Sequence, residues 1–237
     1  MDQLRQKYTN WLINQNLNYA LKFNGTNQYA SLGTMGNFGS NLGSGFYCKV
    51  PIQTPSTSQG FIWGVQNPYI QLQANSAANG ANVNHALQFT TYDTSNNLLR
   101  GGCNSPTINF NDGQKHTIEI DITYSTNTIV IKIDGTVQTI TYDTQGTPHT
   151  FSNFAGSLFL GCRNQNGTPD SFFACTLDNF QIGTSASNIF ASYAFDQSHG
   201  NPLGDLMSNN PPLIAHGTPI PKQQPGRFFF PSAMRGL

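Results

Sequence analysis

Two rows of isoleucine with a period of two constrain the fold of this chain more than any other feature. In the segment KHTIEIDITYSTNTIVIKIDG, which starts at residue 115, isoleucine occupies every second position over 118–122 and again over 129–133. Successive side chains of a strand point to opposite faces, so this alternation predicts strands with one buried face. The short connection between the rows predicts an antiparallel hairpin whose isoleucines share the core.

The opposite face of the same hairpin carries charge. Glu119 and Asp121 alternate with the first isoleucine row, and Lys132 alternates with the second. One register pairs Lys132 with Glu119, and the neighbouring even shift pairs it with Asp121. A one-residue slip would set isoleucines against charges and is disfavoured. We therefore predict that these three side chains point outward, away from the core, as a compensated set worth about 0.2–1 kcal/mol per cross-strand pair.

Further extended segments follow at short spacing, separated by glycine and asparagine turns. Residues 20–23 and 28–32 flank an Asn-Gly turn, a strong hairpin signal. The other predicted strands are 45–51, 60–65, 69–74, 85–92, 98–101, 116–124, 129–133, 137–142, 157–162, 174–182 and 192–196. No helical pattern alternates with them, which argues against a parallel α/β sheet. Many short strands with such turns predict an all-β, two-sheet antiparallel jelly-roll sandwich.

The first residues have a different period. Within 3–16, Leu4, Tyr8 and Trp11 follow the spacing of one apolar helix stripe. Such a helix packs on its own domain or docks on a partner, and the sequence favours neither alternative. We predict a short helical docking segment over 1–17, with the jelly roll over 18–208.

The last residues, 209–237, contain six prolines. Prolines favour an extended chain without sheet pairing, so an extended tail is predicted. Phe228, Phe229 and Phe230 lie near its end. Burying each ring contributes about 1.5–3 kcal/mol relative to leaving it in water. These residues are therefore candidates for docking on the domain or on another subunit.

The composition argues against two classes of binding partner, nucleic acids and membranes. Charged residues make up 9% of the 237 residues and the formal net charge is +0, whereas about 25% charged residues is usual. Nothing in this balance attracts nucleic acid or an anionic membrane. No apolar run approaches the about 20 residues of a membrane span, and residues 1–7 lack a secretory signal. We therefore expect synthesis and maturation in a cytoplasm.

The cysteines and histidines show no metal-binding spacing. Cys48, Cys103, Cys162 and Cys175 form no CxxC pair, which argues against zinc. A cytoplasmic origin favours free, buried thiols, and a Cys162–Cys175 bridge across a hairpin is the alternative. The acidic residues are scattered, so calcium is compatible with the sequence but unsupported by it. We predict no cofactor.

Several segments together resemble laminin-G-like modules of the concanavalin A-like lectin/glucanase superfamily. They are ALKFNGTNQYASLG, NDGQKHTIEIDITYSTNTIVIKIDGTVQ, SLFLGCRNQNGTPDSFFACTLDNFQIGTSA and ASYAFDQSHGN, in the family order over residues 18–200. The resemblance implies two packed antiparallel sheets, one of them concave. It also implies that His116, before the central strand, packs against the domain.

The same resemblance raises the question of catalysis. Glucanases of the superfamily use a Glu-x-Asp-x-Glu strand motif, sometimes with one extra residue, and Glu119 and Asp121 match its first two positions. The second glutamate would fall at Thr123 or Tyr124, and Glu119 is the only glutamate of the chain. Since glycoside hydrolysis needs two carboxyl groups, we predict no catalytic residue.

Other side chains are candidates for binding sugar hydroxyls. Gln71 and Gln88 alternate with apolar residues, and a shared sheet would place them beside the charged hairpin. Arg163, Asn164 and Asn166 lie in a predicted exposed loop, 163–173, of the kind that often carries binding. Trp63 shares a predicted strand face with Phe61 and Val65 and is assigned to the core.

The sequence thus favours a non-catalytic structural and adhesion module of a multi-subunit particle. A phage or viral virion is the most plausible setting, with other subunits as partners through both termini and with glycan binding as an added role. Two alternatives stay open. One is a free carbohydrate-binding lectin, and the other is a glucanase-type glycoside hydrolase with a displaced acid/base.

Overall fold

The computed structural model describes residues 19–34, 45–65, 70–76, 85–92, 97–147, 157–193, 195, 214–216 and 220–223. Nineteen strands lie within these residues. They are β1 (Tyr19–Asn24), β2 (Tyr29–Thr34), β3 (Gly45–Gln53), β4 (Gly60–Val65), β5 (Ile70–Ser76), β6 (His85–Tyr92), β7 (Leu98–Cys103), β8 (Lys115–Thr123), β9 (Thr128–Ile133) and β10 (Thr136–Val137). The remainder are β11 (Thr141–Thr144), β12 (Ser157–Leu160), β13 (Arg163–Gln165), β14 (Thr168–Asp170), β15 (Ala174–Leu177), β16 (Phe180–Ser185), β17 (Asn188–Tyr193), β18 (Ile214–His216) and β19 (Ile220–Gln223).

The strands form two sheets. Sheet A has the order β10-β9-β8-β3-β15-β1-β19, and β16 joins it through β3 and carries β17. Sheet B has the order β11-β7-β6-β5-β4-β12-β2-β18, with β13 beside β4 and β14 beside β13. Pairing is antiparallel except at one contact between β13 and β4. The predicted antiparallel jelly-roll sandwich is confirmed. The described part contains no helix that could cross a bilayer, and the predicted helix over 1–17 lies outside the described residues.

The hairpin of β8 and β9 has the predicted register. Its isoleucines pair in cross-strand rows and are buried, and Glu119 lies opposite Lys132. The neighbouring strand β3 continues the same core face with Phe46, Cys48 and Val50. Burying such a side chain contributes about 1.5–3 kcal/mol each, so this row supplies much of the stability of sheet A.

Aromatic rings join the two sheets across the core. The ring of Phe46 in sheet A lies 5.6 Å from Trp63 and 5.7 Å from Phe89, both in sheet B. Trp63 also meets Phe180 edge-on at 6.3 Å between centroids. Contacts at these separations add about 0.5–1.5 kcal/mol per pair beyond the buried area. The assignment of Trp63 to the core is confirmed, since its side chain is fully buried.

One predicted strand, 137–142, is in fact two strands in different sheets. β10 pairs with β9 in sheet A and β11 pairs with β7 in sheet B. The chain passes from sheet A to sheet B just after Gln138. The N–H of Gln138 donates to the carbonyl of Ile131 (2.8 Å), and its Oε1 accepts the N–H of Thr107 (2.8 Å). The predicted strand 174–182 is likewise divided, into β15 and β16, at Asn179, whose φ is 45°.

The expectation of a tail without sheet pairing is wrong for two of its segments. β18 pairs with β2 in sheet B, and β19 pairs with β1 in sheet A. Pro221 lies in β19, which is the last strand in the order of sheet A. Proline is tolerated on such an edge strand because its missing N–H can face away from the ladder. The tail therefore extends both sheets of its own domain.

The four cysteines are free thiols, as the first of the two alternatives predicted. Cys48, Cys103, Cys162 and Cys175 are all free and buried. Burial raises the pKa of the Cys175 thiol, which keeps it neutral. The Cys162–Cys175 bridge is not formed.

His116 does more than pack. Its Nδ1 lies 2.7 Å from Asp134 Oδ2, and its Nε2 lies 3.0 Å from Asp112 Oδ1. Asp134 also accepts the N–H of Thr117 at 2.7 Å. Burial of the imidazole lowers its pKa, but the two carboxylates outweigh burial and the pKa is raised above its ordinary value. An imidazolium that donates from both nitrogens therefore ties the loop before β8 to the turn after β9.

We call the contacts of His116 with Asp112 and Asp134 the His116 clasp. This clasp predicts a pH-dependent contribution to stability. A raised pKa in the folded state means that the contribution of His116 is fully present below the unfolded value of about 6.5 and is lost as pH rises through the folded pKa. We expect His116→Gln to lower the free energy of unfolding more at pH 6 than at pH 9, as measured by urea unfolding. Asp134→Asn should show the same trend, because it removes one carboxylate. An equal loss at both pH values would contradict the clasp.

Candidate functional site

The predicted site residues do not share one face. Glu119, Asp121 and Lys132 lie on the outer face of sheet A, whereas Gln71 and Gln88 lie on the outer face of sheet B. Packed sheets are about 10 Å apart with the core between them, so the two groups face opposite sides of the molecule. The expectation of a single polar surface is therefore wrong.

The charges on sheet A compensate each other locally. Glu119 forms an ion pair with Lys49 (Nζ–Oε1, 3.4 Å) rather than with Lys132, and it accepts the hydroxyl of Tyr47 at 3.3 Å. Burial raises the pKa of Tyr47, and the neighbouring carboxylate raises it further. Burial also raises the pKa of Asp121, partly opposed by Lys132. Lys132 lies opposite Glu119 but forms no ion pair with the described residues, and Lys49, which the sequence did not indicate, compensates Glu119 instead.

Neither candidate position for the second glutamate of the glucanase motif carries an acid. Thr123 is exposed and carries only a hydroxyl. Tyr124 is fully buried in the core, with its hydroxyl 3.5 Å from that of Thr91. Burial raises the pKa of Tyr124, so its phenol does not ionise at neutral pH. Glu119 therefore has no partner that could protonate a leaving group from the motif positions.

The outer face of sheet B contains a cavity of about 200 Å³. Its lining is polar except for one aromatic ring. The lining residues are Gln59, Phe61, Gln71, Gln73, Ser76, Gln88, Arg100, Arg163 and Ser171. Glutamines at alternate positions of β5 and β6 form the floor, with Gln73 directly opposite Gln88. Gly64 lies opposite Gln71, and a Cβ there would stand 2.8 Å from the Gln71 Cβ, so this glycine keeps the floor open.

A bulge in β4 places the aromatic ring. Phe61 lies opposite Gln73, yet Trp63 lies opposite Leu72, so Ile62 is the extra residue. Such a bulge reverses which side chains point outward on either side of it. Trp63 thus enters the core while Phe61 turns to the cavity, which corrects the expectation that they share a face. The guanidinium of Arg163 lies 4.7 Å from the Phe61 ring centroid, a cation–π contact.

A buried network fixes one side of the cavity. Ser76 Oγ donates to Gln88 Oε1 (3.2 Å), and Gln88 Nε2 donates to Asp143 Oδ2 (2.9 Å). Asp143 also binds His85 Nε2 at 3.0 Å. The serine hydroxyl is directed to Gln88, and His85 is 1% exposed. Ser76, Asp143 and His85 therefore position Gln88, and the network does not form an arrangement for nucleophilic catalysis.

Two polar atoms of the cavity lack a partner among the described residues. They are Gln71 Oε1 and Arg100 Nε, and both atoms are buried. The Gln71 side chain is also almost fully enclosed, since the residue is 7% exposed. Buried polar atoms are nearly always hydrogen-bonded, and an unsatisfied one costs about 1–3 kcal/mol. The cavity is thus lined by one acceptor and one cationic donor whose hydrogen-bonding capacity no described residue uses.

The predicted loop 163–173 is largely a hairpin of β13 and β14. Arg163 forms a two-pronged ion pair with Asp170 (2.9 and 2.5 Å) and reaches the cavity. Asn164 donates to the carbonyl of Ser157 (2.6 Å) and caps the turn by accepting the N–H of Gly167 (2.7 Å). Asn166 occupies that turn with a φ of 54°. Asn164 therefore holds the hairpin, and Arg163 is the one predicted residue of this segment that lines the cavity.

Other predicted residues remain without a structural test. The docking candidates Leu4, Tyr8, Trp11, Phe228, Phe229 and Phe230 lie outside the described residues. Within the described part of the chain, no group of three or more histidine, cysteine or acidic side chains has the arrangement of a metal site. Sequence analysis missed Phe61, Arg100 and Asp143. A signal existed only for Arg100, a cation in a predicted strand of a chain with few charges.

No family model and no curated protein matches the sequence. The fold is similar to a heptameric SAP-like pentraxin from Limulus polyphemus, with 13% identity, TM-score 0.51, and coverage of 73% of this chain and 78% of that one. Domains LG4-5 of the mouse laminin α1 chain give 14% identity, TM-score 0.51, and coverage of 86% and 47%. A putative carbohydrate binding protein from Bacteroides ovatus gives 13% identity and a TM-score of 0.59, with coverage of 88% of this chain and 60% of that one.

These neighbours are concanavalin A-like jelly-roll sandwiches, so the predicted resemblance is confirmed for the fold. The chain spans less than two thirds of the laminin fragment and of the Bacteroides protein. At identities of 13–14%, the similarity establishes architecture alone.

The unpartnered glutamine predicts an unusual stability effect. Gln71→Leu removes a buried acceptor that has no donor among the described residues, so we expect the free energy of unfolding to stay equal or to rise by up to about 1 kcal/mol. Gln88→Leu is the matched control in the same floor. It breaks two hydrogen bonds and should destabilise by about 1–3 kcal/mol. Urea unfolding measures both, and a Gln71→Leu loss as large as that of Gln88→Leu would contradict this assignment.

Proposed function

We propose that this chain is a glycan-binding module and that the cavity on the outer face of sheet B is its binding site. The observation that carries the proposal is Gln71 Oε1, a buried acceptor without a described donor, in a cavity with a polar lining and one aromatic ring. If Gln71 had only a structural role, an apolar side chain at this position would make the fold more stable, whereas a residue that binds a ligand needs the free acceptor.

The chemistry of the lining suits a sugar. The glutamine amides of Gln71, Gln73 and Gln88 offer both donors and acceptors, and sugar hydroxyls are donors and acceptors as well. The Phe61 ring supplies an apolar surface for C–H groups at one side. The volume of about 200 Å³ is below the about 300–1,000 Å³ of sites for drug-sized ligands. The cavity therefore suits one or two sugar units, such as the end of a chain.

The similarity of fold supports the proposal at a coarse level. One of the similar structures bears the description of a putative carbohydrate binding protein. Function resides in particular sites rather than in a fold, so the argument rests mainly on the cavity. The glycoside hydrolase alternative is disfavoured because Glu119 lies on the opposite face and is engaged by Lys49 and Tyr47. We accordingly propose binding without catalysis.

Glycan binding is testable with variants matched between the two outer faces. The wild-type protein should bind members of an oligosaccharide array, and Gln71→Leu should weaken the best of these about tenfold, in line with the loss of one or two hydrogen bonds. Phe61→Leu should weaken it as well. Gln181→Ala, on the outer face of sheet A, should leave the affinity unchanged. An array without hits would refute the function, and equal effects on both faces would refute the site.

We further propose that the module belongs to a multi-subunit particle, such as a phage or viral virion, in which it serves structure and adhesion. The support is the low content of charged residues, 9%, together with the apolar residues near both termini. Since β19 pairs with β1 of the same domain, we assign the proposed partner contact to the segment 224–237, which contains Phe228, Phe229 and Phe230.

Two truncations test this role separately from sugar binding. Removal of residues 1–17 or of residues 224–237 should abolish co-sedimentation with the particle components of the producing cell, since each deletes a predicted docking segment. Both variants should keep the glycan affinity of the full chain, because the cavity lies in neither segment. Co-sedimentation of both truncated chains would show that the termini are not the docking segments, whereas failure of the full chain to co-sediment would remove the particle role and leave a free lectin.

A further inference from the structure

We infer that the cavity selects sugars that carry a carboxylate, and that Arg100 is the residue that binds it. This inference rests on the proposed glycan-binding function and specifies the class of ligand. It concerns acidic sugars such as hexuronic acids, recognised by the guanidinium together with the floor of glutamines. Neither the predicted site residues nor the similar structures point to Arg100.

The charges around the cavity set Arg100 apart. The two charged residues that line it are Arg100 and Arg163. Arg163 is neutralised by Asp170 through two bonds. The nearby carboxylate of Asp143 is occupied by His85 and Gln88. Arg100 forms an ion pair with none of the acidic residues that the structure describes, so the cavity retains one uncompensated positive charge.

Part of the Arg100 side chain is withdrawn from water. The residue as a whole is half-buried, and its Nε atom is shielded from solvent and has no hydrogen-bond partner among the described residues. A cation held in a protein with neither a counter-ion nor a full set of acceptors is costly, because water is partly withdrawn from it. A carboxylate entering the cavity would remove that cost, since a guanidinium matches its two oxygens with two parallel N–H donors.

The position of Arg100 suits a ligand that also uses Gln71. Arg100 lies opposite Thr90, and Thr90 lies opposite Gln71, so the three residues form one row across β7, β6 and β5. Neighbouring strands are about 4.8 Å apart, which sets the two ends of the row about 10 Å apart. Both side chains line the cavity between these strands, so an acidic sugar bound there can place its carboxylate at the Arg100 guanidinium and a hydroxyl beside Gln71.

A neutral sugar would make fewer favourable contacts with the row of Arg100, Thr90 and Gln71. It offers hydroxyls to Gln71 and to the amides of the floor but leaves the guanidinium without an anion. Discrimination of this kind is strong when a buried group of the site is left unpaired by the wrong ligand. The uncompensated guanidinium thus favours an acidic sugar over its neutral counterpart.

The test uses the full chain and an oligosaccharide array in matched sets. Each set contains a terminal hexuronic acid, its methyl ester, the corresponding neutral hexose and the hexose 6-sulfate. We expect the acid to bind best, and Arg100→Gln to weaken the acid about 10- to 100-fold while changing the ester by less than about threefold. Arg100→Lys should give an intermediate loss, because it keeps the charge without the two-pronged donor.

Lys132→Gln is the matched control, since it removes one positive charge from the opposite face of the sandwich. It should leave the affinity for the acid unchanged. Melting curves of all variants report folding, and the Arg100→Lys variant keeps the test decisive if Arg100→Gln does not fold.

The outcomes separate this inference from the function it rests on. Binding of the neutral or esterified sugars as tightly as the acid, with no effect of Arg100→Gln, would overturn the role of Arg100 and leave the glycan site intact. A preference for the sulfate would overturn the choice of carboxylate. Failure of every set to bind would overturn the glycan-binding function and this inference with it.

Discussion

The structure depends on the burial of apolar rows between two sheets. Each strand of the core has one apolar face, and the isoleucines of β8 and β9 meet the aromatic rings that lie across the sandwich. Phe46 links the sheets directly through Trp63 and Phe89. Because this single layer carries the stabilising contacts, the outer faces are free to hold polar side chains. The two outer faces then differ only in what their polar residues do.

On sheet A the charged side chains pair with each other. Glu119 is engaged by Lys49 and Tyr47, and Lys115 binds Asp178 Oδ2 at 2.7 Å, although Asp178 Oδ1 is buried without a described partner. On sheet B, Gln71 and Arg100 keep buried atoms without described partners at residues that line a cavity. Proteins tolerate such costs at functional sites and remove them elsewhere. This contrast is the physical basis for placing the site on sheet B, despite the acidic motif on sheet A.

One irregularity builds that site. The bulge at Ile62 keeps Trp63 in the core and turns Phe61 outward, under the guanidinium of Arg163. Without the extra residue, Phe61 would share a face with Trp63 and the cavity would lose its aromatic side. Bulges redirect side chains in this way without disturbing the rest of a sheet. The uncharged glutamine floor and the two arginines then give the cavity its chemistry, with Asp170 cancelling one charge and leaving the other.

The sequence by itself determined most strands of the core, the even register of the β8–β9 hairpin, the core position of Trp63 and the outward direction of Gln71 and Gln88. These follow from periodicity, since burial of one face leaves no other arrangement for alternating side chains. Only the tertiary structure decided which strands share a sheet, so only it could separate Gln71 and Gln88 from Glu119. It also decided the Lys49 ion pair, the clasp of His116 and the cavity around Arg100. Each of these joins residues far apart in the chain or depends on a bulge, and local patterns contain no information about such pairings.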